Sequence, residues 1–240
     1  MKNLIFIPAY NNFDKDLPYG IKTWEFYCKK HNIELIVANK SIQYDFEDWG
    51  NGCWEPWFDK QLIDKDFDNI LFVDCDTMIR WDAPNIFDNF KNDINVVRDA
   101  GGAHTGRFHL NQWVGINSNI TTPPQDYFNT GFVLLNRDSY FKIKDKMPLY
   151  YEYWASFYKN GPTGPNACEQ TPVNILAYDL SLDIEHLGNE WNNMVMVRYD
   201  DLSFLNDSYV WHFTGPKLGG HGNKKPLMEV VFNHIKTNYE

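Results

Sequence analysis

The sequence predicts an α/β fold with a mostly parallel central sheet and helices on both of its faces. Short apolar runs at residues 4–7, 33–37 and 70–73 follow one another at intervals of about thirty residues, the spacing of parallel strands joined by crossover helices. These runs are continuously apolar, as expected for strands buried on both faces. Because the chain has 240 residues and is 43% hydrophobic, it can bury one large core, and we expect a single domain over 1–240.

Helix and loop signals lie between these strands. Asp16 is the expected N-cap of a first helix, Pro18 its first residue, and the helix should end at 31–32. A tryptophan-rich loop follows the second strand, with Trp49, Trp54 and Trp57. A short helix that begins near Pro56 should lead into the third strand.

The second half of the chain carries further predicted elements. Helices are expected at 84–91, 144–158, 169–178 and 226–236, strands at 94–97, 132–135 and 209–213, and a turn at 160–166. Residues 99–106 read Asp-Ala-Gly-Gly-Ala-His-Thr-Gly, and we expect this glycine-rich segment to be an irregular, mobile loop that orders over a bound ligand. A tight turn is expected at 129–131, directly before a strand.

The charge balance argues against one class of partner. The chain has 22 basic and 32 acidic side chains, a formal net charge of −10. Because the neutralisation of phosphates supplies most of the affinity for duplex nucleic acid, we expect no nucleic-acid partner. An acidic protein can still bind a nucleotide where a metal ion and a few local cations reverse the charge of the pocket.

Cysteine spacing and hydropathy indicate the cellular compartment in which we expect the protein. The four cysteines form no C-x-x-C pair, which argues against a zinc knuckle or a redox motif and favours free thiols. The apolar run at 4–7 is too short for a signal peptide, and no stretch of roughly 18 apolar residues occurs. The sequence therefore predicts a cytoplasmic protein, or one at most peripheral to a membrane, without a transmembrane segment.

The sequence Asp74-Cys75-Asp76 directly follows the third apolar run. In open α/β sheets, ligands bind beyond the carboxyl ends of the strands. Two carboxylates one residue apart on an extended segment point the same way and attract a divalent cation. Oxygen ligands suit Mn²⁺ or Mg²⁺, which fill their remaining positions with substrate phosphates and water. The structural alternative is an ordinary solvated pair of carboxylates at a strand end.

A phosphatase of the haloacid dehalogenase type is a further alternative, since its nucleophile is the first aspartate of such a pair. That pattern has Thr or Val two residues after the second Asp, where this chain has Met78. It also usually opens the chain, whereas here it follows the third strand. We therefore rank this alternative below a transferase.

Segments in order along the whole chain resemble glycosyltransferase family 8, the GT-A-fold group that includes glycogenin and the bacterial lipooligosaccharide galactosyltransferases. They are residues 5–11, 71–77, 128–136, 169–174 and 212–217. The second contains the Asp pair, the third reads Phe-Asn-Thr-Gly-Phe-Val-Leu-Leu-Asn, and the last begins His-Phe-Thr-Gly. The resemblance implies a GT-A-like, Rossmann-type three-layer fold, with a nucleotide-binding half over about 1–100 and an acceptor half over about 101–240.

Two positions depart from the family pattern. Glu169 stands where the family usually has Asp. The late loop of the family reads H-[FY]-x-G-x-x-K-P-W, but here Lys217 comes one residue early and no Pro-Trp follows it.

The resemblance implies roles for individual residues. The metal ligands would be Asp74, Asp76 and His212. The donor nucleotide and its diphosphate would be bound by Pro8, Ala9, Tyr10, Asn11, Lys60, Asp74, Cys75, Gly215 and Lys217. The reacting centre would contain Asn129, Glu169 and Gln170. Gln170 lies where the family has the residue beneath the anomeric carbon, and because an amide is a poor nucleophile we expect it to stabilise an oxocarbenium-like state during front-face attack.

Each of these roles has an ordinary structural alternative. His212 would otherwise be a core histidine, Lys60 and Lys217 would be solvated surface lysines, and Asn129 would belong to a turn. Tryptophans could stack on sugar rings, although most aromatic side chains should lie in the core. The candidates for stacking are Trp54, Trp57 and Trp113.

The predicted function is a glycosyltransferase that uses Mn²⁺ or Mg²⁺ to move a sugar from a nucleotide-diphospho-sugar to a hydroxyl acceptor such as a carbohydrate. UDP as the nucleotide and retention of configuration are implied by the resemblance alone. One rival is a non-catalytic carbohydrate-binding module, which needs the aromatic residues but not the Asp pair. The other is a sugar nucleotidyltransferase, which normally has a glycine-rich, lysine-bearing loop after its first strand, unlike residues 8–12 here.

Overall fold

The computed structural model describes residues 1–10, 12–39, 54–89, 92–159, 169–195, 205–214 and 221–239. The strands in these ranges are β1 (Asn3–Pro8), β2 (Glu34–Ala38), β3 (Asn69–Val73), β4 (Thr77–Ile79), β5 (Ile94–Arg98), β6 (Phe128–Asn136), β7 (Ile184–His186), β8 (Asn193–Met194) and β9 (Val210–His212). The α-helices are α1 (Phe13–Asp16), α2 (Pro18–His31), α3 (Lys60–Ile63), α4 (Gly102–Asn111), α5 (Arg137–Lys144), α6 (Met147–Lys159), α7 (Gln170–Asp179) and α8 (His221–Tyr239). Short 3-10 turns lie at Glu55–Trp57, Ile86–Asn89, Pro124–Asp126 and Asn189–Trp191.

The larger sheet has six strands in the order β2-β1-β3-β6-β5-β7. β1 pairs in parallel with both β2 and β3, and β5 pairs in parallel with β7. β6 runs antiparallel to its neighbours β3 and β5. The apolar runs that predicted the first strands form β1, β2 and β3. The predicted α/β fold with a mostly parallel central sheet is confirmed.

A second sheet of three strands, in the order β4-β9-β8, was not predicted from the sequence. β4 begins at Thr77, directly after the Asp pair, and pairs antiparallel with β9 so that Thr77 lies opposite His212. β8 adds to the other side of β9 in parallel. The last predicted strand, at 209–213, is therefore present but lies beside the Asp pair instead of in the central sheet.

Apolar side chains form two clusters on the two faces of the larger sheet, because successive strand residues point to opposite sides. Ile5, Ile7 and Leu71 belong to one cluster, which also takes in side chains of α2, α8 and β9. Leu4 and Phe6 belong to the other, which is rich in aromatic residues. Trp54 and Trp113 of the second cluster are fully buried and are not free to stack on sugars. Trp57 is 4% exposed, and it lines a pocket at the carboxyl ends of β1 and β3.

Several predicted helix boundaries are wrong. Asp16 ends α1, and the N-cap of α2 is Leu17, although Pro18 does begin α2 as predicted. The helix predicted at 84–91 is only a 3-10 turn at Ile86–Asn89. The helix predicted at 144–158 is two helices, since α5 ends at Lys144 and α6 begins at Met147. The turn predicted at 160–166 and Trp49 lie outside the described residues.

The glycine-rich segment at 99–106 is helical from Gly102 onward, so the predicted irregular loop is wrong there. Gly102 has φ 58°, which glycine adopts without strain and which lets α4 begin. A Cβ on Gly106 would lie 2.3 Å from the carbonyl oxygen of Pro124 and 2.7 Å from Cβ of Tyr127. This glycine therefore permits close packing of α4, and the expectation that residues 99–106 order over a bound ligand loses its basis.

The predicted turn at Asn129–Gly131 is also wrong, because these residues lie inside β6. The register of β6 against β5 shifts between Val96, which lies opposite Val133, and Val97, which lies opposite Asn129. Such a bulge re-aims side chains and is frequent beside active sites. Among the described helices, none has the length and apolarity needed to cross a bilayer.

Candidate active site

The Asp pair lies in the turn that joins β3 of the larger sheet to β4 of the smaller one. The backbone N–H and the hydroxyl of Thr77 both donate to the carbonyl oxygen of Asp74, at 3.0 and 2.6 Å. Trp24 donates its indole N–H to the same hydroxyl at 3.0 Å, which ties the turn to α2. A Cβ on Gly20 of α2 would lie 2.4 Å from the carbonyl oxygen of Cys75. The turn is therefore packed directly against a helix.

His212, at the end of β9, completes a group with the two aspartates. Its Nε2 lies 3.5 Å from Oδ2 of Asp74 and 3.2 Å from Oδ1 of Asp76. One ligand atom from each of the three residues lies within 4.8 Å of the others. Two carboxylate oxygens and one imidazole nitrogen are a donor set that fits a divalent cation. We call Asp74, Asp76 and His212 the metal group.

Lys224 of α8 contacts the metal group and was not among the residues predicted for the site. Its Nζ lies 2.6 Å from Oδ2 of Asp76, and the two side chains are only 11% and 12% exposed. No direct signal for Lys224 is present in the sequence, because a Lys-Pro pair like that of the family loop stands at 225–226 and would have indicated Lys225 instead. Lys217, like Gly215 and Asn11, lies outside the described residues.

The charges in this group shift two pKa values. Burial by itself would raise the pKa of Asp76, but His212 and Lys224 hold it well below its ordinary value. Burial would lower the pKa of His212, but Asp76 and Asp74 raise it to about 9. Without a metal, His212 is therefore a protonated imidazolium between two carboxylates at neutral pH.

Gln170, the first residue of α7, is held by side chains of β6 and by Asp99. Its Oε1 accepts from Nδ2 of Asn129 at 3.0 Å and from the backbone N–H of Thr130 at 3.3 Å. Its Nε2 donates to Oδ2 of Asp99 at 3.3 Å. Glu169, the N-cap residue of α7, accepts from the hydroxyl of Thr130 at 2.8 Å. All three residues predicted for the reacting centre thus lie together.

Asn174 holds α7 in position against β6 through two side-chain hydrogen bonds to the backbone of Phe128. Its Oδ1 accepts from the backbone N–H of Phe128 at 2.8 Å, and its Nδ2 donates to the carbonyl oxygen of the same residue at 2.9 Å. Asn174 is completely buried. A buried amide that is satisfied on both sides holds a helix and a strand in one relative position.

A pocket at the carboxyl ends of β1 and β3 extends from Asp74 to Thr130 and Glu169. Its walls include Pro8, Trp57, Asp74, Thr130 and Glu169. Both strand ends contribute to it, which is where ligands bind in open α/β sheets.

The other residues predicted to bind the nucleotide-sugar donor differ in how far they are buried. Ala9 and Cys75 are buried in the core, and the backbone N–H of Ala9 donates to the carbonyl oxygen of Ala38 at 2.8 Å. Tyr10 is also buried and donates its hydroxyl to Asp59 at 3.0 Å. Lys60 is exposed on α3.

The family model of Glycosyl transferase family 8 matches residues 60–225, which include the Asp pair, Gln170 and His212. The chain belongs to this family. It is therefore a glycosyltransferase, and the rivals of a carbohydrate-binding module and a nucleotidyltransferase are set aside. No curated protein sequence gives a significant match.

Solved structures with a similar fold are themselves glycosyltransferases. One is involved in the glycosylation of the major capsid of PBCV-1, with a TM-score of 0.62, 13% identity, and coverage of 96% of this chain and 100% of that one. The galactosyltransferase LgtC, solved with donor and acceptor sugar analogs, has a TM-score of 0.51 and 16% identity, with 95% of each chain covered. GlyE of Streptococcus pneumoniae TIGR4 has a TM-score of 0.55 and 14% identity, covering 99% of this chain and 61% of that one. At these identities the likeness concerns the fold, and it agrees with the predicted GT-A-like architecture.

Proposed function

We propose that this glycosyltransferase moves a sugar from a nucleotide-diphospho-sugar, in our expectation a UDP-sugar, to a hydroxyl of a carbohydrate or another acceptor in a metal-dependent reaction. The observation that carries the proposal is the convergence of Asp74, Asp76 and His212 beside a pocket that Asp74 also lines. The similar fold of LgtC, which was solved with donor and acceptor sugar analogs, supports this class of substrates. We further propose that 1–240 acts as one domain.

The metal group could offer two carboxylate oxygens and one imidazole nitrogen as ligands, which suits Mn²⁺ or Mg²⁺. A divalent cation held by Asp74, Asp76 and His212 would offset the negative charge of the donor diphosphate. The imidazole of His212 favours Mn²⁺, because nitrogen ligands suit transition metals better than Mg²⁺. A local cation is needed here, since the chain as a whole has a net charge of −10.

A lysine near the metal group would stabilise the departing diphosphate. Lys217 keeps this proposed role from the sequence analysis. Lys224 is a second candidate, because its ammonium group already lies at the carboxylate of Asp76 and is only 11% exposed. In such a dry site a fixed positive charge stabilises developing negative charge more strongly than it would in water.

Gln170 would orient the transferred sugar. Its carbonyl oxygen is engaged by Asn129 and Thr130 and its amide nitrogen by Asp99, so the side chain is a fixed dipole. A fixed neutral amide fits the stabilisation of an oxocarbenium-like state and does not call for a covalent intermediate. We therefore keep retention of configuration by front-face attack as the proposed outcome.

Calorimetry of UDP binding, with Mn²⁺, with Mg²⁺ and with a chelator, tests the metal-dependent donor site. We expect UDP to bind only with a divalent cation. A screen of sugar nucleotides for slow metal-dependent hydrolysis would then identify the donor. Equal UDP affinity in the presence of the chelator would contradict the proposed metal bridge.

The variant Gln170→Ala tests the reacting centre separately. We expect kcat/KM to fall at least tenfold, a loss of about 1.4 kcal/mol of transition-state stabilisation, while Mn²⁺ and UDP still bind. Gln61→Ala, at an exposed position on α3, is the matched control and should transfer sugar normally. Unchanged transfer by Gln170→Ala would remove this residue from the proposed centre.

A further inference from the structure

A line of hydrogen-bonded amide side chains runs from His212 to Gln170. Nδ1 of His212 lies 3.1 Å from Oδ1 of Asn192. Nδ2 of Asn192 donates to Oδ1 of Asn129 at 3.0 Å, and Nδ2 of Asn129 donates to Oε1 of Gln170 at 3.0 Å. We call Asn129, Gln170 and Asn192 the amide group. It connects the metal group to the reacting centre through Asn192 and Asn129, which are both buried.

Backbone N–H groups decide the direction of these hydrogen bonds, because a backbone N–H can only donate. The N–H of Gly131 donates to Oδ1 of Asn129 at 3.0 Å, so this end of the Asn129 side chain must be its oxygen. The N–H of Thr130 likewise lies 3.3 Å from Oε1 of Gln170 and requires an oxygen there. The orientation of both amides is therefore determined without reference to His212.

The orientation of Asn192 follows from that of Asn129. Since Oδ1 of Asn129 is an acceptor, the group of Asn192 that faces it must be the NH₂ group. The remaining oxygen of Asn192 then faces His212 and accepts a hydrogen bond, so Nδ1 of His212 must carry a proton. Asn192 and His212 are each only 1% exposed, and the reversed amide would place two buried oxygen atoms against each other without a proton between them.

A proton held on Nδ1 leaves Nε2 as the nitrogen that can offer a lone pair. This nitrogen is the one that faces Asp74 and Asp76, at 3.5 and 3.2 Å. Histidine ligands of metals are commonly oriented by a hydrogen bond to their other ring nitrogen, which selects the tautomer and holds the ring. A lost bond of this kind typically lowers metal affinity 10- to 100-fold.

We propose that Asn192 is a positioning residue which holds the proton of His212 on Nδ1 and thereby aims Nε2 at a divalent cation shared with Asp74 and Asp76. The inference rests on the proposed metal site. Asn192 is itself well placed for this task, because it caps the 3-10 turn Asn189–Trp191 and is followed at once by β8, which pairs with β9.

Mn²⁺ affinity of the purified protein, measured by the electron paramagnetic resonance of free Mn²⁺ without any nucleotide, tests the proposal. We expect Asn192→Ala to bind Mn²⁺ about tenfold or more weakly than the parent. Asn192→Ser, whose hydroxyl is too short to reach His212, should show the same loss and replaces Asn192→Ala should that variant fail to fold. Asn193→Ala is the matched control, since the neighbouring Asn193 donates instead to Ser208 at 2.7 Å.

Asn192→Asp separates positioning from mere support of the fold. It keeps an acceptor for Nδ1 of His212 but loses the donor to Asn129, so we expect lower thermal stability with Mn²⁺ affinity within a few-fold of the parent. A folded Asn192→Ala or Asn192→Ser variant that binds Mn²⁺ as tightly as the parent would overturn the inference alone. A parent protein that binds no Mn²⁺ would overturn the proposed metal site, and this inference with it.

Discussion

The metal group and the amide group lie at the same edge of the central sheet but are stabilised by different physical means. In the metal group, a protonated His212 and the ammonium of Lys224 balance the carboxylate of Asp76. In the amide group, neutral side chains are held by hydrogen bonds whose directions backbone N–H groups determine. The first arrangement depends on charge and changes when a cation or a proton arrives. The second depends on geometry and keeps its shape.

Because the two groups are stabilised differently, substitutions in the metal group and in the amide group should have different effects. Loss of a charge in the metal group leaves another buried charge unbalanced, and it should therefore affect both stability and metal binding. Loss of a hydrogen bond at the Gln170 end of the amide group should mainly affect the orientation of the sugar, whereas loss of the bond from Asn192 to His212 should affect metal binding. Variants that weaken metal binding without affecting the orientation of the sugar, or the reverse, would support this distinction between the two groups. Variants that change both would weaken it.

Asp76→Asn should have the largest effect. The variant loses a metal ligand and the ionic partner of Lys224, so we expect transfer activity to fall more than about a hundredfold. We also expect the free energy of unfolding to fall by about 3 kcal/mol, since Lys224 is left as a buried charge. Activity assays and urea denaturation measure the two effects. The matched control is Asp82→Asn, which removes an exposed partner of Arg80 and should leave activity unchanged.

The double variant Asp76→Asn with Lys224→Met distinguishes the two losses. With the unbalanced lysine removed, stability should recover while activity stays absent. If the single variant keeps full Mn²⁺ affinity, Asp76 is not part of a metal site.

Metal affinity should rise with pH, because the proton on Nε2 of His212 must leave before this nitrogen can bind a cation. The pKa of His212 is raised to about 9 by Asp76 and Asp74, so the protonated form dominates below that pH. Between pH 6.5 and 8.5 we expect Mn²⁺ affinity to increase up to about tenfold per pH unit. In the metal-free protein the same shift stabilises the fold at neutral pH, and this contribution is lost as the pH rises through about 9.

Titration calorimetry in buffers with different ionisation enthalpies measures the released proton directly. Gln170→Ala should show the same pH dependence as the parent, because the amide group carries no charge. An Mn²⁺ affinity that does not change over this pH range would mean that His212 is not a ligand.

Gly131→Ala should disturb the metal group, because Gly131 of β6 packs directly against the ring of His212. An added Cβ would lie 2.1 Å from Cε1 of His212, and β6 cannot retreat from the middle of the sheet. We expect a stability loss of about 1–3 kcal/mol from overpacking, together with about tenfold weaker Mn²⁺ binding as the ring is displaced. Gly106→Ala is the control, because its Cβ would meet Pro124 at 2.3 Å, away from His212.

Both glycine variants should lose similar stability, and only Gly131→Ala should lose metal affinity. Thermal denaturation and Mn²⁺ titration provide the two measurements. Equal Mn²⁺ affinity in the two variants would show that the His212 ring adapts freely and that its position is not constrained by β6.

Thr130→Val should have the smallest effect of the four. It keeps the shape of the side chain but removes the hydrogen bond from the Thr130 hydroxyl to Glu169. We expect a stability loss of about 1 kcal/mol and a decrease in kcat/KM of less than about tenfold, with Mn²⁺ affinity unchanged. Thr122→Val removes a comparable hydrogen bond to the carbonyl oxygen of Asn174 and should lose stability without a change in kcat/KM. Equal kinetics in the two variants would argue against a role for Glu169 in the reacting centre.

Local patterns were sufficient to predict part of the fold and of the site. The apolar runs identified β1, β2 and β3 because strands buried on both faces need apolar residues throughout. Asp74 and Asp76 could be placed at the carboxyl end of a central strand because they follow such a strand immediately. The resemblance of separate segments then indicated that His212 and Gln170 belong with them, and the structure does bring His212 to the Asp pair.

Glycine shows why local patterns fail elsewhere. Glycines at 101, 102 and 106 suggested an irregular loop, yet Gly106 serves close packing of α4 and Gly131 makes room for His212. The residue type permits flexibility, a positive φ or a close contact, and only the surrounding atoms select among them. The antiparallel direction of β6 was equally invisible, since an apolar run does not encode the direction of its neighbours.

By itself, the sequence determined the α/β class, the position of the Asp pair at a strand end and the membership in a glycosyltransferase family, because these depend on short, contiguous patterns. Only the tertiary structure decided that Lys224 neutralises Asp76, 148 positions earlier in the chain, and that Asn192 meets His212. Such contacts join residues whose neighbours in sequence carry no trace of the partner. They arise when the second sheet and α8 pack beside the turn that carries the aspartates, where buried charges and amides must find partners or destabilise the fold.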